Sequence, residues 1–404
     1  MTRITRRAVL GGSALLLAAP AILRAQGAPA IRIGEINSYS AIPAFTLPYR
    51  SGWQMAVDEI NAKGGVLGRK LEVISRDDAG KPPDAIRLAD ELVNEQKVDL
   101  LAGGYLSNIG LALSDFALHA NKLYVASEPL ADALVWEKGN RTCFRLRPST
   151  YMQAAMLVPD AAALPAKRWA TVAPNYEYGQ SAVKWFRQLL SAKRPDVRFV
   201  AEQWPALGHI DAGATVQALD AAKPEALFNV TFGADLTNFV RQGNTRGLFE
   251  QRPVVSLLSG EPEYLDALGA ETPVGWIVTG YPWAQDKAPA NLAFVEAYRT
   301  RFNEPPRMGS VVGYAMIHSI AAGLTHAGGT ATDQMVAGFA GAAFETPFGP
   351  AIYRPLDHQS TMGTFVGKLA QQDGKGVMVD WRYVDGSSVM PPDDVVRRLR
   401  PGEG

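Results

Sequence analysis

The five histidines, His119, His209, His318, His326 and His358, are scattered, and no two stand at a spacing that suits a shared metal ion. Asp77-Asp78 follows an apolar stretch, where catalytic acids occur, but a solvated loop or a helix start uses the same pair. Gly64-Gly65-Val66-Leu67-Gly68 has the spacing of neither a dinucleotide fingerprint nor a phosphate loop, and reads as a helix stop followed by a turn. No G-x-S-x-G elbow, H-E-x-x-H pair or G-x-x-x-x-G-K-[ST] loop occurs. Without a nucleophile–base pair, what remains is recognition of a ligand. The residues suited to that follow short apolar runs: Asn37 through Phe45, Gly103-Gly104-Tyr105-Leu106-Ser107-Asn108, and Ser127-Glu128-Pro129-Leu130.

Those loops need a scaffold, and residues 51–80 show what kind. Trp53, Ala56, Val57 and Ile60 fall at i, i+3, i+4 and i+7, one stripe of an amphipathic helix. Gly64 and Gly65 stop it, because glycine alone enters the left-handed cap conformation without steric cost. The chain then turns and resumes as a strand carrying Leu71, Val73 and Ile74. A helix with Ala85, Leu88, Ala89, Leu92 and Val93 on one face follows, then a strand over 98–102. With the strand 31–34 in front, the order is β-α-β-α-β, the rhythm of a parallel sheet covered on both faces. Alternation restarts after residue 148 with strands over 169–173, 197–201, 226–231 and 253–258. Ligands of such sheets sit outside the carboxyl ends of the strands.

At 404 residues, 47% hydrophobic and 20% charged, the chain suits two soluble domains rather than a disordered or fibrous protein. Forty basic groups balance forty acidic ones, so no footprint for a nucleic acid appears. Residues 1–25 read as an export signal: Arg3, Arg6 and Arg7 precede an apolar run that exits through small residues near Ala25. The Thr5-Arg6-Arg7-Ala8-Val9-Leu10 order resembles a twin-arginine signal, with an ordinary Sec signal as the alternative. An uncleaved anchor fits less well, because the run is short and contains Gly11, Gly12, Ser13 and Pro20. Cleavage would leave 36 basic against 40 acidic groups, a net charge of −4, in a periplasmic protein. Cys143 is the single cysteine, so no intrachain disulfide can form.

The order IRIGEI, then MAVDEINAKGGVLGRKLEVISRDDAGKP, then LADELV and VDLLAGG resembles the extracytoplasmic solute-binding proteins of branched-chain amino acid ABC importers, the Leu/Ile/Val-binding type. The run EINAKGGVLGRK is the distinctive part, and similarity continues in patches to about Ala327. The resemblance implies an α/β protein with the type I periplasmic-binding fold, two Rossmann-like lobes with parallel central sheets joined by three hinge crossings. It places lobe 1 at 30–147 plus 280–346 and lobe 2 at 148–279 plus 347–395, with crossings near 143–148, 272–281 and 344–353. It also implies a monomer that takes an amino acid or a similar small amide or carboxylate and docks on a membrane permease. No cofactor or metal, and no enzymatic activity, is implied. A sensor domain feeding a receptor would use the same fold; an α/β hydrolase would need the missing nucleophile.

The same resemblance implies site residues. Ser107 matches a serine that binds a ligand carboxylate, although it would equally cap the following helix. Glu128 stands where the family offers small residues and a threonine, so it points away, pairs with a cation, or marks a different ligand. Tyr178 matches a tyrosine contact, or is ordinary packing at a lobe edge, and Phe232 falls near another aromatic contact. Glu261 falls near the acid that pairs with an ammonium, or simply opens the helix at Pro262. Phe45 would be an aromatic lid on lobe 1, with Tyr105 in the loop beside Ser107. Gly309-Ser310 replaces a further family aromatic, which is expected to enlarge the pocket.

Overall fold

In the computed structural model, which describes residues 28–400, two α/β lobes face each other across a cleft. The export signal expected over residues 1–25 lies outside the described residues. The first lobe opens with β1 (Ile31–Asn37), α1 (Pro43–Ala62), β2 (Leu71–Asp77), α2 (Pro82–Asn94), β3 (Leu100–Gly103), α3 (Ser107–His119), β4 (Tyr124–Ala126) and β5 (Cys143–Arg145). The second contains α4 (Thr150–Ala163), β6 (Arg168–Val172), α5 (Glu177–Lys193), β7 (Arg198–Gln203), α6 (Ala212–Ala221), β8 (Ala226–Asn229), α7 (Gly233–Thr245), β9 (Val254–Gly260), α8 (Pro262–Leu268) and β10 (Ile277–Gly280). The chain returns with α9 (Pro289–Phe302), α10 (Met308–Ala327), α11 (Thr332–Phe339) and the hairpin β11 (Ala343–Thr346) and β12 (Gly349–Ile352). It ends with β13 (Thr364–Gln372), β14 (Lys375–Val384) and α12 (Asp393–Leu399).

The first sheet runs β2-β1-β3-β4-β5 and is parallel throughout. Its inner strands β3 and β4 are apolar runs, and β3, β4 and β5 are buried along their whole length. The second sheet runs β14-β13-β10-β9-β8-β6-β7, parallel except for β13 and β14. Those two form an antiparallel hairpin through Asp373-Gly374, both at positive φ, the geometry that closes two-residue hairpins. Gly64 and Gly65 end α1 at φ +106° and +82°, and a Cβ on Gly65 would lie 1.9 Å from the Arg69 carbonyl oxygen. The tight turn expected there follows from that contact.

Three details differ from the sequence-based expectation. Residues 277–280 are an interior strand of the second sheet, β10, and the return crossing follows at 281–288. Residues 343–352 fold back as the β11–β12 hairpin against α10, so lobe 1 extends past residue 346 and the third crossing runs over 353–363. An apolar run of strand length does not reveal whether it crosses or pairs; the partner strand decides that. Helix α1 begins at Pro43, well before the apolar stripe, with Pro48 inside it. Phe45 is therefore a helical residue. The first and third crossings run side by side, with a parallel bridge between Arg145 and Gln359.

Helix α10 is long and apolar enough to cross a membrane, but most of it is enclosed by α1, α11 and β11. Glycines make that packing possible. A Cβ on Gly309 would stand 2.3 Å from the Phe45 carbonyl oxygen, and one on Gly313 2.1 Å from that of Tyr49. From the other side, a Cβ on Gly52 of α1 would stand 2.0 Å from the Ser310 carbonyl oxygen. The two helices touch backbone to backbone.

Candidate ligand-binding site

At the carboxyl ends of the two sheets, the loops that follow β3 and β4 meet the starts of α5 and α7 and the end of β9. Between them lies a small cavity of about 20 Å³ lined by Tyr105, Ser107, Glu128, Leu130, Tyr176, Tyr178, Phe232 and Leu258. First-lobe and second-lobe residues each form one wall. Aromatic rings make up half the lining: Tyr178 packs edge-on to Phe232 at 5.7 Å, and Tyr105 lies 6.2 Å from Phe232. Leu258 holds a left-handed backbone at φ +65°, costly for a branched side chain. Its N–H is taken by Thr279 Oγ1 at 2.8 Å and its carbonyl by the Glu261 N–H at 2.9 Å, which turns the chain out of β9 toward α8.

Five of the seven expected site residues, Tyr105, Ser107, Glu128, Tyr178 and Phe232, line this cavity. Ser107 is the first residue of α3, and no side-chain bond caps that helix. Its Oγ instead accepts the Ala131 N–H at 3.1 Å, tying the β3 loop to the β4 loop. Phe45 is not a lid. It is buried in the first turns of α1 and packs edge-on behind Tyr105 at 5.1 Å, because the helix starts before it. Gly309 does not enlarge the pocket either, since the backbone of α1 fills the space.

Glu261 is the seventh, and it lies behind an arginine that the sequence did not single out. The Arg147 guanidinium, 1% exposed, donates to Glu261 Oε1 at 2.6 Å and, from its other terminal nitrogen, to Glu128 Oε1. Arg147 sits in the first crossing, and Gln359 of the third crossing donates to its carbonyl at 3.0 Å. Burial works against its charge, yet the carboxylates of Glu128 and Glu261 outweigh that and hold it charged. Burial pushes Glu128 well above the usual carboxylate range, with Arg147 opposing, and raises Glu261 for the same reason. Among the described residues, Glu128 Oε2, Glu261 Oε2 and the Tyr178 hydroxyl are buried without a hydrogen-bond partner.

Further contacts hold the lobes together around the cavity. Glu263 of α8 accepts the backbone N–H groups of Met308 at 3.2 Å and Gly309 at 2.7 Å, at the start of α10. Burial, and then the nearby charge of Glu261, push its carboxyl up to about 8. Arg307 pairs with Asp266 at 3.0 Å beside it. On the hinge side, Asp132 accepts the Ser181 hydroxyl at 3.0 Å and the Tyr151 N–H at 2.9 Å. Trp136, whose Nε1 donates to Asp357 at 3.1 Å, packs edge-on to Trp185 and Tyr151. Among the described residues, no group of three or more His, Cys, Asp or Glu could hold a metal ion.

The sequence profile for periplasmic binding proteins matches residues 30–375. The "Leu/Ile/Val-binding protein homolog 7" of Brucella abortus (strain 2308) is 27% identical over 399 residues, covering 93% of this chain and 97% of its own. A "Leucine-, isoleucine-, valine-, threonine-, and alanine-binding protein" of Pseudomonas aeruginosa is 23% identical over 305 residues, 74% of this chain and 79% of its own. Among solved structures, the solute binding protein of an ABC transporter from Rhodopseudomonas palustris BisB5, in complex with 3,4-dihydroxybenzoic acid, superposes with a TM-score of 0.80. It is 24% identical and covers 90% of this chain and 99% of its own.

Proposed function

The chain belongs to the periplasmic binding protein family, and on that premise we propose that it is the exported solute receptor of an ABC importer. It captures a small solute between its lobes and delivers it to a membrane permease. The observation that carries this reading is the cavity itself, built jointly by Tyr105, Ser107, Glu128 and Leu130 of the first lobe and Tyr176, Tyr178, Phe232 and Leu258 of the second. A ligand touching both walls stabilises the closed arrangement over the open one, and closure follows by population shift. The three crossings serve as the hinge.

The ligand class is an amino acid or a similar small amide or carboxylate. Tyr105, Tyr178 and Phe232 supply walls for an apolar body, and Ser107 at the start of α3 suits a polar head. The relatives named above support both amino acid and aromatic acid ligands for proteins of this architecture. A binding role rather than catalysis suits the cleft, whose carboxylates Glu128 and Glu261 pair with Arg147. The basic and apolar pattern of residues 1–25 supports export to the periplasm, where a monomer meets its permease.

A thermal-shift screen of the exported chain against amino acids, amides and aromatic carboxylates tests the reading. A ligand at a hundredfold excess over its dissociation constant adds about 2.7 kcal/mol of stability. Solution scattering with that ligand is expected to give a smaller radius of gyration. An unchanged radius with a bound ligand would remove the closure mechanism.

A further inference from the structure

We infer that α8 is a latch, an assignment that rests on the receptor reading: its residues bind the first lobe directly, favour closure, and set affinity from outside the pocket. Glu261 at the cap of α8, and Glu263, Tyr264 and Asp266 within it, each take a partner outside the second lobe. Glu261 accepts from Arg147 of the first crossing at 2.6 Å. Glu263 accepts the Met308 N–H at 3.2 Å and the Gly309 N–H at 2.7 Å, at the start of α10. The Tyr264 hydroxyl lies 3.4 Å from that of Tyr105, and Asp266 pairs with Arg307 at 3.0 Å. One short helix thus carries a row of contacts to the opposite lobe.

The helix is anchored on its own lobe. Leu265 and Leu268 are buried, and the Leu265 side chain lies 3.1 Å from the ideal Cβ position of Gly376 in β14. Leu258, at φ +65°, turns the chain out of β9, and the Glu261 N–H donates to its carbonyl at 2.9 Å, which fixes where α8 starts. Apolar side chains therefore seat α8 on the second sheet, while its polar ones reach the first lobe. Asp266 and Arg307 stand at the rim, their side chains 56% and 33% exposed, and neither lines the cavity.

These bonds run from protein to protein and form only where the lobes meet. Each therefore adds to the stability of the closed form whatever solute occupies the cleft. The apparent dissociation constant of a solute that prefers the closed form rises as the closed fraction falls. The pocket chooses the solute, and α8 sets how tightly it is kept.

The test reads the distance between spin labels on Thr300→Cys of the first lobe and Ala270→Cys of the second, both exposed positions, with Cys143 buried away from the label. The exported chain is first unfolded and refolded to strip any co-purified ligand. A short-distance population is expected before any solute is added. Asp266→Arg and Arg307→Asp should each deplete it about threefold, since a half-exposed pair is replaced by like charges, and the two together should restore it. Glu263→Ala, checked for native circular dichroism, should deplete it about tenfold. A parent with only a long distance, or a short population that neither Asp266→Arg nor Glu263→Ala depletes beside a long one, would overturn the latch and leave the receptor reading intact. A single distance, the same in every variant and on adding leucine or benzoate, would overturn lobe closure and the latch with it.

Discussion

The Glu263 carboxylate, on α8 of the second lobe, accepts the backbone N–H of Gly309, at the start of α10 of the first lobe, at 2.7 Å. The pair joins the two lobes. The Met308 N–H is a second donor to the same carboxylate, and a helix N-terminus favours a negative charge. Desolvation nevertheless dominates and keeps the carboxyl protonated into the neutral range.

Because its pKa is raised to about 8, Glu263 binds a proton more tightly in the folded protein than when unfolded. Its contribution is therefore greatest below about pH 4.5 and declines as pH climbs to about 8, where it levels off. Glu35, pushed up to about 7 by burial, acts in the same direction. Between pH 6 and 9, Glu263→Gln is expected to reduce the loss of stability by about 3 kcal/mol. Thermal melts at those two pH values check this, and parallel declines in the two proteins would contradict it.

Arg147→Ala strands two buried carboxylates and should cost about 3–5 kcal/mol. Adding Glu128→Gln and Glu261→Gln to the same chain should return most of that loss, since the uncompensated charge is gone. Urea denaturation of the single and triple variants measures both steps. A single variant within 1 kcal/mol of the parent, about the worth of an exposed ion pair, would show that the cluster is hydrated rather than buried.

Gly309→Ala puts a Cβ 2.3 Å from the Phe45 carbonyl oxygen and should destabilise the protein by about 1–3 kcal/mol. Gly213, in α6, has ordinary contacts around its ideal Cβ, and Gly213→Ala should instead add about 0.5–1 kcal/mol through helix propensity. Denaturation midpoints of the two variants should move in opposite directions. If Gly309→Ala changed only the size of ligand accepted, Gly309 would belong to the pocket and not to the helix contact.

Ser149 follows the first crossing and caps α4, its Oγ accepting the Met152 N–H at 3.1 Å. Ser149→Ala should cost about 1 kcal/mol and Ser149→Gly only a few tenths. Equal losses in a thermal melt would mean that the hydroxyl matters for packing at the hinge and not as a cap.

The scaffold was legible because each element announces itself locally. The stripe from Trp53 to Ile60 and the stop at Gly64-Gly65 are matters of neighbouring residues, and β1 through β4 followed from them. The β10 strand and the β11–β12 hairpin were not legible as such, since the same apolar residues serve a crossing or a ladder. Arg147 was missed because its two partners stand 19 and 114 residues away, and nothing at Leu146-Arg147-Pro148 marks it. Gly309 was misread for a related reason: an absent side chain makes space only if no backbone comes to occupy it. Tyr176 lay within the quoted Asn175–Gly179 stretch, yet only the second-lobe wall shows that both tyrosines border the cavity.

The contact between α1 and α10 also fixes the order in which the protein can be completed. The groove on α1 beside Gly52 receives a segment made much later, and Tyr49 reaches Met316, 267 residues further along. During synthesis the first lobe therefore waits, its α1 face uncovered, until α4 through β10 of the second lobe and α9 have emerged. Loop closure over that distance is entropically slow. The second lobe waits longer still, for β13 and β14 to join its sheet.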